Sequence, residues 1–308
     1  MKEIIPKIDT EVLLKELNAD RFVRYTNFGG NEIYIVNSKN APNVMLEIGR
    51  LREITFRAAG GGTGKETDID DYDLGDNAFE QLLVWNPTDK AIVGGYRFIH
   101  CKNLKFNDDG TVKTPTSKLF HYSEKFIKDY LPKTIELGRS FVRPEYQPTK
   151  NMRKGIYSLD NLWDGLGAIV VANSDVEYLF GKITMYRNTD LLARESIMYF
   201  LNRFFPDPEK LVRPHKPVEI TTAREVFEKV FSGETYDENY KILQQYVRKR
   251  EQQIPPLVNA YMNLSSTMKT FGTALNRNFG DVEETGIMIT INDIYPGKKD
   301  RHIKNIRR

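Results

Sequence analysis

The chain has 308 residues, 28% of them charged and 40% hydrophobic, with a formal net charge of +3. That is the balance of a globular, water-soluble protein with one large domain or a core plus an extension, and it is too weakly basic to point to nucleic acid. The single cysteine, Cys101, excludes an internal disulfide and a Cys-rich zinc site and suits a reducing compartment. No run has the length of a signal peptide or a spanning helix, so the expectation is a cytoplasmic protein, with any membrane contact peripheral at the inner face.

Residues 11–18 have the pattern of a short helix and 31–36 that of a strand. Pro42 opens a helix whose apolar residues Val44, Ile48 and Leu51 recur on one face, and the run Gly60-Gly61-Gly62 stops it. An acidic loop follows, from Asp68 to Asp76. Two strand-like runs, 80–85 and 91–99, flank the turn signal Asn86-Pro87-Thr88-Asp89. A polar loop (103–117) leads to an aromatic helix over 119–130, and Pro132 precedes a strand over 134–142. A helix is expected from Lys154 to Val171, a strand over 176–185 and a helix over 190–204. Alternation of this kind, with hairpins among the strands, predicts a mixed-sheet α/β protein.

Beyond Phe205-Pro206-Asp207-Pro208 the texture changes. Segment 222–253 is charged and helical, with Tyr236, Tyr240, Leu243 and Val247 on one stripe, the pattern of a helix packed on a core. Pro255-Pro256 breaks it, 257–270 is helix-like, and an apolar run over 286–291 follows. The expected division is therefore a core domain over 1–205 and a mainly helical extension over 206–308. The end of the chain is basic (Lys298, Lys299, Arg301, Lys304, Arg307, Arg308), the composition of a mobile solvated end or of a contact with an anionic bilayer or an acidic protein.

Several motifs fail on inspection. Gly60-Gly-Gly-Thr-Gly64-Lys65 resembles a phosphate-binding loop, but Ala59 stands where its first glycine belongs and Glu66 where Ser or Thr must follow the lysine. Counted from Asp68 as a calcium loop, the required glycine falls on Asp73 and the bidentate glutamate on Phe79. The four histidines have no metal-ligand spacing, and there is no Gly-x-Ser-x-Gly elbow. Serine, cysteine and zinc hydrolysis all lack their nucleophile or ligands.

What remains is a set of charges where sheet proteins place apolar residues. Arg52 lies on the first long helix, four residues before Phe56 and on the same face. Asp70, Asp71 and Asp73 crowd the following loop. Arg97 interrupts the apolar strand Ile92 to Phe98, and Glu136 and Arg139 interrupt the strand over 134–142. Each alone has an ordinary explanation, an edge position or a solvated loop. Together they predict a buried ion-pair network, which is costly and marks functional sites.

The ordered set Leu51-Arg52-x-x-x-Phe56, Asp70-Asp71-Tyr72-Asp73, Val93-Gly94-Gly95-Tyr96-Arg97 and Glu136-Leu137-Gly138-Arg139-Ser140-Phe141-Val142 resembles one family. It is similar to the hemolysin-like ornithine/glycine N-acyltransferases of aminolipid synthesis, within the GNAT superfamily, with acyl-homoserine lactone synthases as cousins. The likeness continues through Leu162-Trp163-x-Gly165-Leu166 and Pro255-Pro256-Leu257-Val258-x-x-Tyr261, so it spans roughly residues 31 to 290.

The resemblance implies a GNAT-like, mostly antiparallel sheet flanked by helices. It also implies transfer of a (3-hydroxy)fatty acyl group from acyl carrier protein, or from acyl-CoA, to the amino group of ornithine or glycine. No permanently bound cofactor is implied. Glu136 is then the candidate base, since the attacking amine must lose a proton, and Arg139 its orienting partner. Regular strand geometry would put the two on opposite faces, so a bulge is expected at or beside Gly138. Arg52, Phe56, Asp70, Asp73 and Arg97 are expected around the acceptor, with Arg97 a partner for its carboxylate. Arg153, Lys154 and Gly155 are expected to meet the donor through helix N-terminal amides and charge. The alternatives are an autoinducer synthase of the lactone type and a non-catalytic acyl-binding protein on the same fold.

Overall fold

The computed structural model describes residues 1–75, 78–148 and 150–304. Asp76, Arg307 and Arg308 lie outside the described residues, as do the side chains of Lys154 and Lys304. In chain order the strands are β1 (Phe22–Tyr25), β2 (Glu32–Val36), β3 (Glu80–Asn86), β4 (Ala91–His100), β5 (Phe120–Tyr122), β6 (Thr134–Val142), β7 (Tyr178–Met185), β8 (Val212–Pro214), β9 (Lys269–Asn276) and β10 (Val282–Thr290). The α-helices are α1 (Thr10–Glu16), α2 (Pro42–Ala59), α3 (Met152–Gly155), α4 (Ser158–Ala172), α5 (Leu191–Phe204), α6 (Arg224–Val230), α7 (Tyr236–Arg248), α8 (Pro256–Met262) and α9 (Pro296–Lys299). Among the described residues no helix is long and apolar enough to cross a membrane.

The chain packs as two compact units, one formed by residues 1–115, 132–177 and 295–308, the other by 116–131 and 178–294. In the first, β1-β2-β3-β4-β6 lie side by side, and every register in the run is antiparallel. Pro42 opens α2 at its first turn, and Gly60, in the left-handed conformation at φ 96°, closes it. The helix lies over the face that carries Gln81 and Arg97, because Arg52 reaches Gln81 from it. The opposite face takes α4, where Gly165 lets the helix approach so closely that an added Cβ would sit 2.7 Å from the Leu82 methyls. Gly94 and Gly95 do the same for the strands. A Cβ on Gly94 would run into the Phe141 carbonyl, and one on Gly95 would lie 2.6 Å from the Leu82 carbonyl oxygen.

In the second unit β7, β10 and β9 form an antiparallel run in that order. Helix α5 docks on it through Arg194, whose Nε lies 2.7 Å from Glu283 Oε2. Helix α7 then packs with its expected stripe inward: Leu243 and Val247 are buried, and Tyr236 stacks on Tyr240 beside Phe200. A capping box at Thr235 and Glu238 starts this helix.

Several expectations are corrected. Residues 119–130 are not one helix: Phe120–Tyr122 is a strand paired with β8, and only Phe126–Tyr130 makes a helical turn. The helix expected from Lys154 is interrupted between α3 and α4, where Gly155 is pressed against Gln147 and Pro148. Segment 206–308 contains helices α6–α8 but also β9 and β10, and the two units do not divide at residue 205.

The basic end is not a mobile tail as far as Ile303. His302 is buried with Nδ1 2.8 Å from Asp164 Oδ1, and the Arg301 carbonyl accepts from Asn27 Nδ2 at 2.7 Å. Gly167 permits this docking, since a side chain there would collide with the His302 carbonyl.

Candidate functional site

Of the charged residues expected to form a network, Asp71 is exposed, whereas Arg52, Asp70, Asp73, Arg97 and Arg139 do form one, on the α2 face of β3, β4 and β6. Its centre is the Asp73 carboxylate, fully buried. Oδ1 accepts from Arg52 Nη1 at 3.1 Å and from Gln81 Nε2 at 3.0 Å. Oδ2 accepts from Arg97 Nη1 at 3.0 Å and from the Asp70 amide at 3.1 Å. Arg97 Nη1 also donates to Asp70 Oδ1 at 2.6 Å. Arg52 completes its set with a short hydrogen bond to Gln81 Oε1.

The loop that supplies the acids is held by its own chemistry. The Asp68 amide donates to the Gly49 carbonyl at 3.0 Å, and Gly49 is required because Ile69 Cγ1 would lie 2.5 Å from a Cβ there. Asp70 then makes an Asx turn, accepting from the Tyr72 amide at 2.9 Å, and the Phe79 amide donates to the Tyr72 carbonyl at 2.7 Å. The glycine-rich run upstream, which mimics a phosphate loop, wraps a carboxylate of the chain itself. Glu53 accepts from the Thr63 amide at 3.0 Å and the Gly64 amide at 2.7 Å.

Strand β6 is irregular beside Gly138, as expected if Glu136 and Arg139 face one site. Gly138 pairs with Arg97 and Phe141 with Gly95, so Arg139 and Ser140 together face Tyr96 alone. This is a bulge, but Gly138 does not host the left-handed residue. Arg139 does, at φ 47°, a conformation that costs a side-chain-bearing residue about 1 kcal/mol or more. The extra residue turns Arg139 onto the face shared by Arg97, Gly138 and Glu136. There Arg139 Nε lies 2.8 Å from Asp68 Oδ2, and its Nη2 lies 3.7 Å from Asp70 Oδ2. A straight strand would have pointed it away.

Electrostatics follow from this packing. Burial opposes the Asp73 charge, but Arg52 and Arg97 outweigh it and hold the carboxyl well below the usual carboxylate range. Burial likewise opposes the Arg97 charge, and Asp73, Asp70 and Asp68 overcome it, raising its pKa. Arg52 is the strained cation: burial lowers its pKa and the like charges of Arg97 and Arg139 add to that, against Asp73. Tyr72, edge-on to Phe79 and under the Arg97 guanidinium, is pushed up to about 12, by burial first and then by the fields of Glu136 and Asp70.

Glu136 is therefore buried on the network face, within the electrostatic reach of Tyr72 and of Cys101, whose thiol burial pushes up. Phe56 is buried on α2. Arg97 is also buried, with Nη1 committed to Asp70 and Asp73, so it is placed as a brace. The solvent edge of the network lies at Asp70, whose side chain is 30% exposed, and at Arg139, at 15%. Arg153 stands exposed on α3, but the Gly155 amide is already bonded to the Asn151 carbonyl at 2.8 Å. Gly155 serves close packing there.

Reading the sequence alone missed Asp68 and Gln81 as members. Asp68 lay in a loop full of acids with nothing to single it out. Gln81 offered a faint signal, one amide in front of the apolar run Leu82 to Trp85.

Residues 51–155, which hold the whole network, match the family described as Acetyltransferase (GNAT) domain. Two curated proteins match nearly the whole chain. A glycine N(alpha)-acyltransferase of Phocaeicola vulgatus is 52% identical over 305 residues, 99% of this chain and 94% of that protein. A glycine N(alpha)-acyltransferase of Bacteroides thetaiotaomicron is 52% identical over 304 residues, 99% of this chain and 90% of that protein. The chain belongs to this N-acyltransferase family. Among solved structures, a CoA-dependent acyl-homoserine lactone synthase, BjaI, with SAM and isopentyl-CoA has a TM-score of 0.39 at 13% identity, covering 91% of this chain and 93% of that one. As a member of the family the protein is an enzyme, so the non-catalytic alternative falls away.

Proposed function

We propose that this N-acyltransferase moves a fatty acyl group from a thioester of acyl carrier protein to the amino group of glycine, as a step of aminolipid synthesis. The observation that carries the acceptor is the 52% identity, over nearly full length, to two proteins named for glycine. It favours glycine over ornithine and over the lactone-type acceptor. In the reaction the glycine nitrogen forms the amide C–N bond while the C–S bond of the thioester breaks. The ammonium form cannot attack, so a proton must leave first, and Glu136 receives it directly or through one water. The departing thiolate takes up a proton.

Arg139, the network cation nearest solvent, is the partner for the acceptor carboxylate, while Arg52, Asp73 and Arg97 fix the loop and strand around it. Phe56 and Asp70 border the acceptor side. Arg153, with Lys154, offers positive charge to an acidic carrier protein or to the phosphate of the donor.

The test is purified protein with 3-hydroxyacyl carrier protein or acyl-CoA and a panel of amino acids, with N-acyl products read by mass spectrometry. Acylglycine from the carrier-protein donor is expected, and Glu136→Gln should lower kcat by roughly a hundredfold or more while leaving the fold intact. No product with any acceptor, together with a Glu136→Gln enzyme equal to wild type, refutes the assignment.

A further inference from the structure

Four large apolar side chains of the first unit, linked by a helical turn, a peptide bond and one ring stack, are exposed to water. Met152 is 70% exposed, Ile156 57%, Phe28 49% and Tyr157 38%. Met152 and Ile156 are one helical turn apart, joined by the Ile156 amide to the Met152 carbonyl at 3.1 Å, so they share a side. Tyr157 follows directly and stacks on Phe28, with ring centroids 5.6 Å apart and planes 18° apart. Burying so much apolar surface elsewhere would be favourable, and a patch of this kind on a folded chain marks a contact surface.

The rim is basic. Arg301 Cζ lies 5.3 Å over the Phe28 ring, held there by an ion pair to Asp160. The docked end of the chain, His302 between Asp164 and Asp160, fixes that arginine in place. Lys298, three residues earlier, and Lys150 are exposed. Exposed aromatic and aliphatic side chains with Arg and Lys close by along the chain have the composition of a surface lying in the headgroup region of an anionic bilayer.

We propose that the Phe28–Met152–Ile156–Tyr157 patch with its Arg301, Lys298 and Lys150 rim seats this enzyme on an anionic lipid surface. The proposal rests on the acyltransferase reading in one respect: the product is an amphiphile that partitions into a bilayer. The segment through Ile303 thus acts as an ordered strut that places Arg301 over Phe28.

The experiment is vesicle flotation of the full chain, with phosphatidylcholine alone and with added phosphatidylglycerol. Wild type should float with the anionic vesicles and far less with the neutral ones. The triple variant Phe28→Ser, Met152→Gln, Ile156→Ser should partition about tenfold or more weakly. A Lys298→Glu variant should show a smaller, salt-sensitive loss. Because Cys101 is buried, an Ile156→Cys variant takes an environment-sensitive dye at that position, and its emission should shift to the blue on anionic vesicles. Equal flotation with both vesicle types, or a dye that stays in water while the protein floats, overturns the proposal. Loss of carrier-protein binding by the triple variant with unchanged flotation overturns it in favour of a protein partner. Turnover with soluble donor and glycine is read separately, so failure of the acyltransferase reading shows as lost product while flotation persists.

Discussion

Replacing Asp73 by Asn tests the centre of the network. The substitution keeps the shape and removes the charge. Arg97 retains Asp70, which is partly solvated, but Arg52 loses its ion-pair partner and keeps only the Gln81 amide oxygen, inside a fully buried site. Breaking a buried pair from one side costs about 3–5 kcal/mol, because a charge is left uncompensated. With a urea slope of about 2 kcal/mol per molar, the midpoint should fall by about 1.5–2.5 M. Both tryptophans, Trp85 and Trp163, lie in the unit that holds the network, so their fluorescence reports the relevant transition. The double variant Asp73→Asn, Arg52→Met should recover much of the loss, since removing both charges is often neutral.

The depressed Asp73 carboxyl also sets a pH signature. Its contribution is complete above the unfolded value of about 4 and is lost as pH falls through the lower folded value. Wild type should therefore lose stability below about pH 4 more steeply than Asp73→Asn. A single-variant loss under about 1 kcal/mol, or a double variant no better than the single, would refute the reasoning.

Two further outcomes follow from the bulge. Arg139→Gly relieves a left-handed residue, a gain of about 1 kcal/mol, but strips the buried Asp68 of its cation at about 3 kcal/mol, for a net loss near 2 kcal/mol in the same fluorescence melt; a variant about 1 kcal/mol more stable than wild type would mean that the Asp68 pair contributes nothing. Gly94→Ala should cost about 3 kcal/mol or more, because the new methyl meets the Phe141 backbone, whereas Gly138→Ala should change stability by under about 1 kcal/mol, its nearest neighbour being Arg97 Nε at 4.0 Å. Thermal unfolding followed by circular dichroism separates the two, and equal effects would show that strand spacing at Gly94 is adjustable.

Local chemistry carried much of the answer in the sequence. Pro42 and Gly60 bound α2, the hairpin signal at Asn86 to Asp89 joins β3 and β4, and β6 spans Thr134 to Val142 as its pattern predicts. Arg52 and Arg97 stood out because charges in apolar, periodic segments have few other places to go, whereas Asp73 was singled out of its acidic loop only by the family resemblance. Sequence pattern misjudged 119–130, because an aromatic-rich run fits either period and only pairing with β8 selects a strand. It missed Asp68 and Gln81, whose roles exist only once Gly49 brings the loop onto the helix and β3 lies beside β4.

The tertiary structure also decided the docking of the basic segment as far as Ile303, which composition alone reads as a solvated end or a contact with an anionic bilayer or an acidic protein: a buried imidazole between two aspartates outweighs the tendency of like charges to stay in water. The bulge shows the same division. That β6 is irregular if Glu136 and Arg139 serve one site follows from their spacing. That Arg139, and not Gly138, takes the left-handed turn was settled by the buried Asp68 waiting for its charge.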